Sequence, residues 1–161
     1  MKKEEMEVKC VLTLIESQDL YERESELLKK AHEAASNAYA PYSDFNVGTA
    51  VRLKSGGIVL GSNQENIAYP SGLCAERVAV FAVGAQFPED EIESIAIVSS
   101  SPQADPKSFM PCCGCRQVLL EAESRQNTHI KLYMQVRDEP VLVSKSALNL
   151  VPFAFTYMKG V

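Results

Sequence analysis

Two cysteine-bearing segments constrain this chain more than any other feature. Cys74-Ala75-Glu76-Arg77 puts a thiol two residues before a carboxylate, and Pro111-Cys112-Cys113-Gly114-Cys115-Arg116 contains a Cys-x-x-Cys. Thiolates from Cys74, Cys112 and Cys115 would hold one zinc ion per subunit and leave its fourth position open to water. Such a site obliges the fold to bring two segments far apart in sequence into contact. A Cys-x-x-Cys alone is equally compatible with a redox pair or with half of a structural zinc ribbon. A closed structural site needs a fourth ligand at comparable spacing, but Cys74 is single and His129 stands alone before an apolar run. Three thiols with an unmatched carboxylate describe an open, catalytic site, and Cys113 is then surplus.

Charge and cysteine count exclude other classes. The net charge is -5 and no basic stripe is visible, since Lys29-Lys30 and Arg116 are isolated, so a nucleic-acid partner is not expected. The acidic run Glu89-Asp90-Glu91 reads as a solvated loop or helix start. No apolar run reaches membrane-spanning length, and Met1-Lys2-Lys3-Glu4-Glu5 leads into no signal-peptide core. No membrane partner and a cytoplasmic location are therefore expected. Five cysteines, an odd number, argue against a disulfide framework there, and Cys10 reads as a small buried hydrophobe.

The periodicities predict an α/β protein, expected to form a single domain over residues 1–161. Residues 7–15 alternate Val8, Cys10, Leu12 and Leu14 on one face, a short strand within an N-terminal extension of about 20 residues. Leu27, Leu28, Ala31, Ala34, Ala35 and Ala38 recur at helical steps within a helix over 20–38 that Pro41 ends. His32 within it reads as a solvated surface residue. Strands are expected at 47–53 and 58–62 around the hairpin signal Lys54-Ser55-Gly56-Gly57, then at 92–99, 130–136 and 140–143. Helices are expected at 76–83, ended near Gly84, and from Cys112 to about Glu123. A short helix over 146–150 would take Ser146 as N-cap. The expected architecture is a three-layer α/β/α sandwich with a mixed five-stranded sheet, the strands flanking each crossover helix being parallel neighbours. Both cysteine segments then fall at helix N-termini, where unpaired N–H groups and the helix dipole favour thiolate.

These parts make up a hydrolytic site. Zinc lowers the pKa of bound water from about 15.7 towards 7 in favourable sites. Three thiolates blunt that effect, and Arg77 or Arg116 could offset their charge, unless either serves only in surface ion pairing. Glu76 would take a proton from water, deliver it to a ring nitrogen and assist departure of an amine. The polar stretch Asn63-Gln64-Glu65-Asn66 ends a strand, where binding groups often sit, although a solvated loop has the same pattern.

Taken together the motifs resemble the small zinc-dependent cytidine deaminases. The resemblance rests on Cys-Ala-Glu-Arg at 74–77 and Pro-Cys-x-x-Cys-Arg-Gln at 111–117. It extends to Ala38-Tyr39-Ala40-Pro41-Tyr42-Ser43, Phe45-x-Val47-Gly48, Gly61-x-Asn63-x-Glu65-Asn66 and Leu150-x-Pro152-x-x-Phe155. It implies deamination of cytidine and 2'-deoxycytidine in pyrimidine salvage, by a homotetramer whose active sites are shared between subunits. It also implies that Asn63 and Glu65 bind the sugar 3'-hydroxyl and that Phe45 lines the base pocket. Backbone groups of Ala75 and Cys112 would touch the pyrimidine, and Phe155 would reach a neighbouring subunit's substrate. The chain departs from the family pattern at Cys113-Gly114, where Gly-Ala is more usual, at Asn46, where Pro is common, and over residues 1 to about 20. Rival readings are the same fold acting on the antibiotic blasticidin S, a nucleotide or RNA, and a non-enzymatic zinc protein.

Overall fold

The structure, a computed structural model, describes residues 3–156. Its strands are β1 (Thr13–Ile15), β2 (Val47–Leu53), β3 (Ile58–Ser62), β4 (Ile92–Ser99), β5 (Lys131–Val136) and β6 (Val141–Ser144). Its α-helices are α1 (Glu22–Ala35), α2 (Ala75–Gln86) and α3 (Cys113–Gln126). One mixed sheet runs in the order β1-β6-β5-β4-β2-β3, with only β4 and β5 pairing in parallel. The sheet has six strands rather than the expected five, because β1 adds to the free edge of β6.

Alternation along the strands divides the core into two layers. Val51, Leu53, Ile95, Ile97, Leu132 and Met134 face Ala79, Val80 and Val83 of α2 and Leu119 and Ala122 of α3. Ala50, Ala96, Val98, Tyr133, Val141 and Val143 face Leu27, Leu28, Ala31 and Ala35 of α1. The sandwich is thus α/β/α, with α1 the one α-helix on its face among the described residues. Two glycines let the helices press directly on the sheet. A Cβ on Gly48 would lie 2.0 Å from the Ala31 carbonyl oxygen, and one on Gly61 would lie 2.6 Å from both the Ala75 carbonyl oxygen and the Ala79 nitrogen.

The other departures from expectation have local causes. β3 and β4 flank α2 and run parallel, yet β2 lies between them and pairs with both. Only β4 and β5, flanking α3, are parallel neighbours. The N-terminal strand shortens to Thr13–Ile15 because β6 is only four residues long. Val11 pairs instead with the Asn149 amide, and Cys10 is exposed rather than buried. Gly84 does not end α2, which continues to Gln86 and stops at Phe87, the residue before Pro88. One glycine costs a helix only about 1 kcal/mol, and buried Val80 and Val83 carry it through. The short helix is a 3-10 turn at Leu148–Leu150, and Ser146 donates its hydroxyl to Glu123 at 2.7 Å instead of capping. His32 is half-buried, with ring nitrogens 3.3 Å from Ser100 Oγ and 3.2 Å from Gln135 Oε1. Glu91 of the acidic run pairs with Lys54 at 2.5 Å.

Candidate active site

Cys74 and Cys112 are the N-cap residues of α2 and α3, and Cys115 follows one turn into α3. Both helices pack on the same sheet face, so their N-termini meet beyond the end of β4. The Sγ atoms of Cys74 and Cys112 are 3.9 Å apart, those of Cys112 and Cys115 are 3.4 Å apart, and all three lie within 4.8 Å of one another. Three sulfurs each about 2.3 Å from a tetrahedral zinc stand about 3.8 Å apart, so the set fits the ion. Among the described residues no fourth His, Cys, Asp or Glu joins the cluster. Cys113 is exposed at the helix start, and His129 lies away beside Glu123.

Hydrogen-bond donors reach two of the sulfurs. Cys112 Sγ accepts the Cys115 backbone N–H at 3.4 Å, and Arg77 Nη2 donates to Cys74 Sγ at 3.8 Å. The Cys74 thiol is pulled down to about 5, first by the Cys115 thiol and then by Arg77 and Cys112. Cys115 is pushed upward, first by Cys74 and then by burial, because it keeps the proton that the pair shares. Of the two arginines, Arg77 reaches the thiols. Arg116 has other partners, donating to the carbonyls of Pro111 at 2.7 Å and Leu150 at 3.3 Å.

Glu76 sits in the first turn of α2 and is only 5% exposed. Burial raises its carboxyl to about 7, the Cys74 charge adding to the rise against its own backbone N–H, Cys115 and Arg77. It lines a cavity of about 480 Å³ together with Cys74, Ala75 and Cys112. Phe45, Asn63 and Glu65 line the same cavity, so the structure gathers these sequence-derived candidates in one place. Asn63 is already engaged, accepting from Val47 N–H at 2.8 Å and donating to the Phe45 carbonyl at 2.9 Å. Glu65 accepts from the Ser43 hydroxyl and from the backbone N–H groups of Tyr42 and Ser43, which hold its carboxylate below the usual range. Phe155 does not line the cavity of its own chain. It is 82% exposed, with its carbonyl accepting from Gln117 at 3.0 Å.

The loop between β4 and α3 supplies a wall that motif reading misses. Gln103, Asp105, Ser108 and Phe109 reach the cavity from it, and the Phe109 ring lies 6.4 Å from that of Phe45 at 35°. The signal for this wall is slight, a lone aromatic in a proline-containing stretch with no periodicity.

Comparison with known proteins agrees with this geometry. The family model for the cytidine and deoxycytidylate deaminase zinc-binding region matches residues 21–130. The cytidine deaminase of Halalkalibacterium halodurans is 40% identical over 95 residues, 59% of this chain and 68% of that protein. That of Mycobacterium tuberculosis strain H37Rv is 41% identical over 91 residues, 56% of this chain and 65% of that protein. These alignments span about two thirds of the curated relatives. The crystal structure of cytidine deaminase from Burkholderia pseudomallei has a TM-score of 0.70 at 35% identity, covering 81% of this chain and 97% of that one. The Mycobacterium tuberculosis enzyme has a TM-score of 0.62 at 33% identity, with 82% and 96% covered. The matched stretch runs from the start of α1 past the end of α3 and holds all three thiols and Glu76. This chain therefore belongs to the cytidine and deoxycytidylate deaminase family.

Proposed function

We propose that the chain deaminates cytidine and 2'-deoxycytidine hydrolytically to uridine and 2'-deoxyuridine, releasing ammonia, as a step of pyrimidine salvage. The observation that carries this reading is a buried carboxyl, Glu76, poised near neutrality beside three clustered thiols on the wall of a nucleoside-sized cavity. Cys74, Cys112 and Cys115 would hold zinc, which when bound supplies the Lewis acidity that eases ionisation of water. Glu76 takes one proton from the attacking water and gives it to N3 of the pyrimidine as the water oxygen bonds to C4. It then moves the second proton from that oxygen to the exocyclic nitrogen, the C4–N bond breaks, and ammonia leaves. A carboxyl near 7 accepts and releases a proton at neutral pH with little penalty in either direction.

The remaining assignments belong to the same proposal and are supported by the shared cavity and the family resemblance. Phe45 and Phe109 flank the base, backbone groups of Ala75 and Cys112 meet its polar edge, and Asn63 and Glu65 take the sugar 3'-hydroxyl. Glu65, ionised, keeps acceptor capacity beyond its bonds to Ser43 and Tyr42. Asp105, which lines the same cavity, is also held below the usual range, by the Lys107 N–H and then the Ser108 hydroxyl. Two carboxylates facing one cavity disfavour a phosphorylated substrate and favour the free nucleoside. Phe155, exposed on its own chain, completes a neighbour's site in a homotetramer.

The test is ultraviolet-monitored turnover of cytidine and cytidine monophosphate by purified protein of measured zinc content, beside Glu76→Gln. Cytidine turnover that drops by about 10²–10⁴-fold or more in zinc-loaded Glu76→Gln is the expected result. Undiminished turnover in that variant would remove Glu76 from the mechanism. Faster turnover of the monophosphate would shift the substrate class.

A further inference from the structure

The backbone on both sides of Phe45, in the cavity wall, is held by two buried serines. Asp44 has a φ of 55°, in the left-handed region that aspartate tolerates better than most non-glycine residues. Ser101 Oγ, buried, accepts from Asn46 N–H at 2.7 Å and donates to the Asp44 carbonyl at 3.3 Å. Ser99 Oγ, fully buried, donates to the Asn46 carbonyl at 2.7 Å and accepts the Ser101 N–H at 3.2 Å. Both flanks of Phe45 are thus gripped from the end of β4.

The same serine is tied to the facing wall. Arg137 Nη1 donates to the Ser101 carbonyl at 3.0 Å and to the Ala104 carbonyl at 3.2 Å, from a residue whose own φ is 51°. The chain leaving that grip runs directly to Phe109. Ser101 therefore braces the Phe45 segment through its hydroxyl, while Arg137, bonded to the carbonyls of Ser101 and Ala104, ties it to the start of the loop that carries Phe109.

We propose that Ser101, locked by Ser99 and Arg137, is a positioning residue that sets the spacing of Phe45 and Phe109 and so the seat of the pyrimidine ring. The inference rests on the nucleoside reading above. Ser101 does not line the cavity, so its removal acts on substrate seating through Phe45 rather than on proton transfer. Losing the acceptor for the partly buried Asn46 N–H is equivalent to about a fivefold change in an equilibrium.

The experiment is steady-state kinetics on zinc-loaded, full-length Ser101→Ala, Phe45→Leu and the double variant, with thermal melts and zinc content alongside. Ser101→Ala should raise KM for cytidine about fivefold while kcat falls less than about twofold. In the Phe45→Leu background Ser101→Ala should add nothing to KM, because the two act through one contact. An unchanged KM in folded, zinc-loaded Ser101→Ala overturns the proposal. So does an additive effect in the double variant, or a parallel fall in kcat and kcat/KM, either of which marks a general structural role. Wild-type protein inert towards cytidine would instead overturn the nucleoside reading, and this inference with it.

Discussion

Glu76 and Glu123 are both buried carboxyls, and their surroundings move them in opposite directions. For Glu76, burial and the Cys74 charge outweigh its own backbone N–H, Cys115 and Arg77, and it rises to about 7. Glu123 is also opposed by burial, but it accepts from the N–H groups of Ile130 at 2.8 Å, Ala147 at 2.7 Å and Leu148 at 3.2 Å, and from Ser146 Oγ. These donors outweigh burial and hold it below the usual carboxylate range. A depressed folded pKa contributes stability that is complete above the unfolded value and lost as pH falls through the folded one. Glu123→Gln should therefore cost about 2–3 kcal/mol near neutrality, and the loss should shrink towards acid pH in denaturant melts. His129 Nδ1, 3.4 Å from Oε1, is the titratable neighbour in contact, and its 75% exposed side chain weakens any influence it exerts. A pH-independent difference between the two proteins would contradict the assignment. The sequence marks Glu76 by its place after Cys74. It does not mark Glu123, whose partners come from two other segments.

At the scale of elements, two helix starts form the thiol cluster, and one close approach sets the height of α2 on the sheet. Gly61 lies under the first turn of α2, the turn that carries Glu76 and follows Cys74. A valine there meets backbone atoms that cannot swing aside, so Gly61→Val should exceed the usual overpacking cost of about 1–3 kcal/mol and lift that turn. Metal content and melting temperature are the measurements. The expected result is a lower melting point together with reduced zinc stoichiometry, and a variant with full zinc would show that α2 is not positioned by this contact. Gly56, at a φ of 94° in the β2–β3 hairpin, confirms the turn read from Lys54-Ser55-Gly56-Gly57. Strand formers and helical steps place β4 and the cores of α1 and α3 from sequence because those patterns are local. β1 is shorter than its alternation implies, since a strand extends only as far as its partner does.

For the whole molecule, the exposed aromatic groups bear on the proposed assembly. Phe155 is turned outward while Tyr69, 85% exposed, stands at the cavity mouth. In the proposed tetramer each site needs Glu76 from one subunit and Phe155 from another. Co-expressed Glu76→Gln and Phe155→Ala chains should then recover activity that neither variant has alone, measured as cytidine turnover of the purified mixed oligomer. Absence of recovery would confine each site to one chain. The sequence by itself determined the three zinc-binding thiols, the carboxyl that follows the first of them and the two helix starts that present them, because residue type and helical phase are properties of short segments. Only the tertiary structure decided that β2 separates β3 from β4, that Phe109 faces Phe45, and that Ser101 and Glu123 join distant backbone segments. Those contacts are made across space between segments whose local patterns are unrelated, so no period or spacing in the chain encodes them.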